Sequence, residues 1–303
     1  SWSGNLVTNA TWDDFWLNEG FTVYVENRIM EALKGRDYAE MLAYISYTDL
    51  QEEVADIGFE NPDTRLAYEL TGRHPDDGFS SVPYDKGYYF LRLIEETVGR
   101  EDFDAFLKGY FSDNAFKTMS TDRFLERLDK ELLSTHPGAE ETINVDAWVR
   151  TAGIPDNIPV AQSVRFKKVE EAVHAWVAGE SASSLPTQDW TTHEWLHFIQ
   201  VLPDELNAGQ MAKLDGAFGF TARTNSEIQA KWYTRAIKAQ YEPAYPAVRT
   251  FLTSVGRRKF LTPLYRAMMA APETQGMAAD IYAEARAGYH PIAQNSIDAV
   301  VNQ

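Results

Sequence analysis

The sequence predicts an all-α protein, and three observations carry that expectation. Apolar residues recur at helical spacing through most of the 303 residues, no segment reads firmly as a strand, and the second half breaks into short paired helical segments. The length accommodates two ordinary domains with a sizeable core. No run of 18 or more apolar residues occurs, so no membrane span is expected. The absence of cysteine excludes disulfides, thiolate catalysis and Cys-type zinc sites, and leaves the compartment open between cytoplasm and periplasm. The opening SWSGNLVTNA has neither Met nor a signal-like segment, so any targeting signal is expected upstream of it.

The elements follow in order. TWDDFWLNEGFTVYVENRIMEAL has helical periodicity, with Thr11 and Asp14 placed as a capping-box variant and two acidic residues at the positive end of the helix. DYAEMLAYISYTDLQEEV is a second helix, and GRHPDDGFSSVP is a loop rich in turn residues. YDKGYYFLRLIEETVG is helical and ends at Gly99; REDFDAFLKGYFSDNAF and STDRFLERLDKELLST are further helices. TAGIPDNIPV, with two prolines and a glycine, marks the domain boundary, giving domains 1–154 and 155–303. PVAQSVRF could be extended. Beyond it, helices over 167–178, 191–202, 208–215, 224–240, 243–255, 259–271 and 274–287 have the rhythm of a stacked, ARM/HEAT-like array.

The net charge of −17 argues against nucleic acid as a partner. It is unevenly spread: residues 1–154 carry 30 Asp and Glu against 14 Lys and Arg, and residues 155–303 carry 15 against 14. Two units with different surfaces follow. The first would attract cationic ligands such as an amine terminus, though a solvated acidic surface explains the charge as well.

Glu19 is the first candidate. On a helix, Trp12, Phe15, Trp16 and Val23 share its face. A carboxylate among aromatic rings needs a cation, hydrogen-bond donors or a metal to remain ionised. Gly20 beside it weakens the helix by roughly 1 kcal/mol, which implies a close approach by something else. The plainer alternative is a half-exposed glutamate at the edge of an aromatic cluster.

SWSGNLVTNATWDDFWLNEGFTVYVE resembles the M1 zinc aminopeptidases, in particular their leukotriene A4 hydrolase branch. In that family two zinc-binding histidines lie in an HExxH motif and the third ligand is the Glu of a W-L-N-E-G segment, which here is Glu19. Residues 1–18 fill the spacer between them, so the resemblance implies that HExxH, with two zinc ligands and the general base, immediately precedes Ser1. It also implies a fold: the helical half of a thermolysin-like catalytic domain, followed by a helical domain closing one side of its cleft.

The resemblance extends along the chain to about residue 295. SSVPYDKG matches the family's tyrosine segment, which makes Tyr84 the group that stabilises the oxyanion; a helix-start tyrosine with its hydroxyl in water is the alternative. Asp76 in RHPDDGF matches an aspartate that places water for epoxide opening and helps bind peptides, while Asp76 and Asp77 equally suit a plain turn. Phe79 stands where the branch has a second tyrosine, which puts epoxide hydrolysis in question. SVGRRKFLTPLYRAM resembles the carboxylate-recognition segment, with Arg257 and Lys259 on its Arg and Lys; a solvated basic patch is the alternative. The closing YHPIAQN also resembles the branch's C-terminal segment.

HEWLH at 193–197 has the spacing of two zinc-binding histidines on one helix face. It lacks a third ligand at the usual distance, since an eighteen-residue spacer after His197 leads to Gly216, with Asp215 adjacent and no W-L-N-E-G-like surroundings. Thr191 and Glu194 read as a capping box, and Trp195, Leu196, Phe198, Ile199 and Leu202 as a core-facing stripe. A structural helix start is therefore expected here. His74, His136, His174 and His290 read as loop or surface residues.

The resemblance thus implies a parent protein that is a zinc aminopeptidase acting on short peptides, with one zinc ion, Glu19 as a ligand, Tyr84 on the oxyanion, and Asp76, Arg257 and Lys259 on the substrate. This chain alone is expected to hold an incomplete site and to be inactive, and a monomer is favoured. The competing readings are a non-catalytic helical scaffold, a zincin built on HEWLH, and an aminopeptidase that also opens epoxides. Apolar surface is expected around Trp2, Trp12 and Trp16 in the isolated chain.

Overall fold

A computed structural model describes residues 2–73 and 80–302. The chain divides into two compact units, Ser1–Val164 and Arg165–Gln303, each with its own hydrophobic core. The sequence boundary at TAGIPDNIPV lies ten residues earlier than this division. Ile158 and Ala161 explain the difference, because both pack into the core of the first unit.

The first unit is built on α1 (Trp16–Lys34), α2 (Arg36–Ile57), α3 (Val82–Val98), α4 (Arg100–Asp113) and α5 (Thr121–Glu131), with the short α6 (Ala139–Ile143) and α7 (Val145–Val149) after them. α1 packs chiefly on α3 and then on α2. Gly99 separates α3 from α4 with φ of 91°, a conformation that glycine adopts without strain. Ahead of α1 a single 3-10 turn, Trp12–Asp14, replaces the α-helical start expected at Thr11. The cap itself is present: the Asp14 carboxylate accepts from the Thr11 backbone N–H at 3.1 Å and its hydroxyl at 2.9 Å. The other Asp14 oxygen accepts from the Thr121 N–H at 2.7 Å, so this buried carboxylate also caps α5.

Two features of this unit depart from expectation. A parallel pair, β1 (Val7–Asn9) and β2 (Lys117–Met119), joins residues 110 apart in register Val7↔Lys117, where the residue pattern shows no firm strand. Three residues are too few for an alternation pattern to be visible. Trp2 and Trp12 are exposed as expected, but Trp16 is fully buried. Its ring lies edge-on to Phe90 and Phe124, and its Nε1 donates to the Thr121 hydroxyl at 3.0 Å.

The second unit contains α8 (Val164–Val177), α9 (Thr192–Val201), α10 (Ala208–Phe218), α11 (Ser226–Lys238), α12 (Tyr245–Ser254), α13 (Arg258–Ala270), α14 (Pro272–Ala285) and α15 (Pro291–Val301). In the stretch PVAQSVRF, residues 159–163 carry no regular structure and α8 begins at Val164, because Phe166, Val169, Val173 and Trp176 form one buried helical stripe. α9, α11, α13 and α15 pack side by side in succession, and α14 packs on α12 and α13, so the hairpin rhythm is a real array. The sequence pattern places no helix beyond residue 287, yet α15 completes the row through Ala293 and Ile297. No described helix is long and apolar enough to cross a membrane.

Candidate active site

The geometry around Glu19 begins with two glycines. Gly20 on α1 and Gly87 on α3 meet backbone to backbone: a Cβ on Gly20 would sit 2.8 Å from the Gly87 Cα and 2.9 Å from its carbonyl carbon. This is the close approach that a mid-helix glycine implies, and what approaches is α3. The contact sets Glu19, one residue before Gly20, near enough to Tyr84, three residues before Gly87, for its charge to act on the phenol. Tyr84 lies in the first turn of α3, after Val82 and Pro83. Its ring meets the Phe15 ring edge-on at 5.9 Å, and Phe15 contacts Trp12 at 5.7 Å. The site is therefore a carboxylate and a phenol beside an aromatic wall.

Both polar groups feel that wall. Burial raises the pKa of Glu19. Burial also raises that of Tyr84, and the charge on Glu19 adds to it. The phenol therefore stays protonated across the neutral range and remains a hydrogen-bond donor. Glu19 is half-buried and has no hydrogen-bond or ion-pair partner among the described residues. A half-buried carboxylate left without donors suits a metal ligand. It is one ligand only: among the described residues no group of three His, Cys, Asp or Glu side chains could hold a metal. The residues present fit one corner of a zinc site.

The remaining sequence candidates are placed as follows. Asp76, with His74, Asp77 and Phe79, lies outside the described residues. Arg257 occupies the N-cap position of α13, with its guanidinium 5.9 Å from the centre of the Phe260 ring and no acidic partner among the described residues. Lys259 stands over the same ring at 4.9 Å and pairs with Glu227. Of the two, only Arg257 has no carboxylate partner among the described residues.

HEWLH opens α9. Glu194 turns back on the helix start, accepting from the Thr191 N–H and hydroxyl, each at 2.7 Å, as the capping box requires. Its second oxygen accepts from Arg165 at 2.8 Å, which ties α9 to α8. His197 stacks on Phe166 with centroids 4.0 Å apart, and its Nε2 meets Glu170 at 3.0 Å. Glu194 and His197 thus fasten two helices together. Glu194→Ala is expected to destabilise the second unit by about 1–3 kcal/mol, through the lost cap and the lost Arg165 contact. Chemical denaturation checks this, and an unchanged midpoint would show the capping box to be idle.

Sequence reasoning misses Gly87 as the partner of Gly20, and it misses the two titratable groups that follow Tyr84. Asp85 and Lys86 are both buried, the lysine completely. The signal is present in YDKGYYFLRLI, where ionisable residues interrupt a stripe otherwise deep in the core.

The chain is similar to known proteins along almost its whole length. Residues 1–148 match the model of the peptidase family M1 domain, and residues 190–301 match that of the leukotriene A4 hydrolase C-terminal domain. Leucine aminopeptidase 2 of Chaetomium globosum is 33% identical over 98% of this chain and 50% of its own length. Aminopeptidase B of Mus musculus is 32% identical over 99% of this chain and 49% of its own. The structure of yeast LTA4 hydrolase in complex with bestatin superposes with a TM-score of 0.87 at 25% identity, covering 100% of this chain and 52% of that one. The chain spans about half the length of the curated relatives it matches. Two family models in tandem, relatives alike over almost the whole chain, and a WLNEG carboxylate set against the YDKG phenol place the chain in peptidase family M1, in its leukotriene A4 hydrolase-like branch.

Proposed function

We propose that this chain serves as the C-terminal half of a zinc aminopeptidase that removes N-terminal residues from short peptides. The observation that carries the reading is the placement of Glu19 and Tyr84 together by the Gly20–Gly87 contact. The names of the relatives, leucine aminopeptidase 2 and aminopeptidase B, support it.

Glu19 would supply one carboxylate ligand, and the two histidines and the general base would come from an HExxH segment preceding Ser1. Zinc, when bound, would polarise the scissile carbonyl and activate water. The other roles belong to this chain. Tyr84, kept protonated by its surroundings, donates a hydrogen bond to the oxygen on which negative charge develops as the carbonyl carbon becomes tetrahedral. The Phe15 ring packs edge-on against the phenol at 5.9 Å. Arg257 offers its guanidinium fork to the far carboxylate of the peptide. Lys259 adds positive charge once its Glu227 contact is exchanged. Asp76 would assist peptide binding.

The test needs the longer protein that carries HExxH with this chain. Tyr84→Phe removes the donor and keeps the ring, so kcat is expected to fall about 10²–10³-fold with KM little changed. Glu19→Gln is expected to lower bound zinc below one ion per chain, read by metal analysis without any assay of turnover. Full activity in Tyr84→Phe would remove the phenol from the mechanism. Full zinc retention in Glu19→Gln would remove the ligand assignment. The 303-residue chain alone is expected to show no chelator-sensitive peptidase activity.

A further inference from the structure

The second unit contains eight arginines. Arg165, Arg235, Arg249 and Arg286 are ion-paired, and Arg223 and Arg257 lie over aromatic rings. Arg258 and Arg266 have neither kind of partner among the described residues. Both line the same groove, a cavity of about 640 Å³ between α13 and α15.

Its chemistry is one-sided. Arg258, Thr262 and Arg266 recur every fourth residue, so they form one stripe along α13. The two guanidinium-bearing positions are about 12 Å apart along the axis, from a rise of ~1.5 Å per residue. The Thr262 hydroxyl between them also lacks a hydrogen-bond partner among the described residues. On the α15 bank stand Ser296, Ala299 and Val300, and no described acidic side chain lines the groove. Ser296 donates to the Ile292 carbonyl, which leaves its oxygen free to accept.

We propose that this groove binds an acidic peptide segment whose two carboxylates, four residues apart, engage Arg258 and Arg266. In an extended peptide, side chains at i and i+4 lie on one face, about 13 Å apart at ~3.3 Å per residue, which matches the arginine spacing. Each guanidinium takes a carboxylate through paired N–H groups. Thr262 donates to the intervening backbone, and Ala299 and Val300 receive the small apolar side chains between the acids. The domain as a whole does not repel such a ligand, since residues 155–303 carry 15 acidic against 14 basic side chains. Neither arginine takes part in the aminopeptidase reading, so the two proposals stand or fall separately.

The test is fluorescence anisotropy of labelled Glu-Ala-Val-Ala-Glu amide titrated with the 303-residue chain. Arg258→Gln and Arg266→Gln are each expected to weaken binding about tenfold, and replacement of both glutamates in the peptide by Gln to abolish it. Binding should also weaken with added salt. Both substitutions sit at exposed helix positions, and unchanged thermal melts would confirm that the fold is kept. The proposal is overturned if the peptide fails to bind at millimolar concentration, or if binding is indifferent to either arginine. It is overturned equally if the Gln peptide binds as well, or if inorganic phosphate displaces the peptide while needing only one of the arginines.

Discussion

Gly20→Ala is expected to destabilise the first unit by about 3 kcal/mol or more, a large effect for a single methyl group. The added Cβ would lie 2.8 Å from the Cα and 2.9 Å from the carbonyl carbon of Gly87, and 3.3 Å from the Pro83 oxygen. All three are backbone atoms, so no side chain can swing aside. Relief requires α1 and α3 to separate by several tenths of an ångström where they now touch through their backbones. The same separation draws the cores on either side apart, including Trp16, which already lies 3.7 Å from where a Cβ on Gly87 would stand. Gly87→Ala should act alike, and the double variant should be worse than either. The control is Gly276→Ala in α14, where a Cβ meets nothing within 4 Å and helix propensity alone predicts a gain of about 0.5–1 kcal/mol. Denaturant midpoints for the four variants decide the matter. A Gly20→Ala midpoint equal to that of the parent chain would mean that the helices do not approach so closely.

The same crossing shows what the residue pattern can and cannot disclose. Helices are legible because their signal is local: a buried stripe such as Phe166, Val169, Val173 and Trp176 is visible in fourteen residues. The capping boxes at Thr11 and Thr191 are legible for the same reason, since each is closed within three residues. Gly20 announces that something comes close, but nothing local says that it is Gly87, which lies 67 residues away. The β1–β2 pair escapes notice for a related reason, as its two three-residue strands are defined only by each other.

The candidate site divides along the same line. A carboxylate on an aromatic helix face makes Glu19 a candidate from its neighbours alone. Tyr84 needs the resemblance, because a tyrosine at a helix start carries no chemical signal until a carboxylate is set beside it. HEWLH shows the reverse. Its spacing is that of a metal site, yet Glu194 is occupied by Thr191 and Arg165, and His197 by Phe166 and Glu170. A motif specifies where ligands could stand on a helix, and the surrounding helices determine whether they are free.

Asp85→Asn is expected to raise stability at pH 8 by a few kcal/mol and to leave it nearly unchanged at pH 4. Asp85 follows Tyr84 and is buried, which pushes its pKa up to about 7; the charges of Asp49 and Glu53 push the same way and the Ser46 hydroxyl partly opposes them. The folded state therefore holds a proton that the unfolded chain gives up near pH 4. Stability from this group is complete below about pH 4 and is lost as pH rises toward 7, at roughly 1.4 kcal/mol for each pH step of one across that window. Asn has no proton to lose, so the variant should be flat over the same range. Lys86 works in the opposite direction on the same helix turn. Complete burial lowers its pKa to about 7, with Arg65 contributing, although its ammonium donates to the Thr64 and Thr151 carbonyls at 3.0 and 3.1 Å. From about pH 7 upward the unfolded chain holds a proton that the folded state releases, so this group adds stability as pH rises toward 10.5. The two slopes meet near neutrality, where the helix start carrying Tyr84 has both a buried anion and a buried cation to accommodate. Denaturation midpoints between about pH 4 and pH 10 should accordingly pass through a minimum near pH 7. Asp85→Asn should remove the acid limb and Lys86→Met the alkaline one. A wild-type profile flat from about pH 4 to pH 7, or one whose acid limb survives in Asp85→Asn, would show that Asp85 does not carry the buried charge.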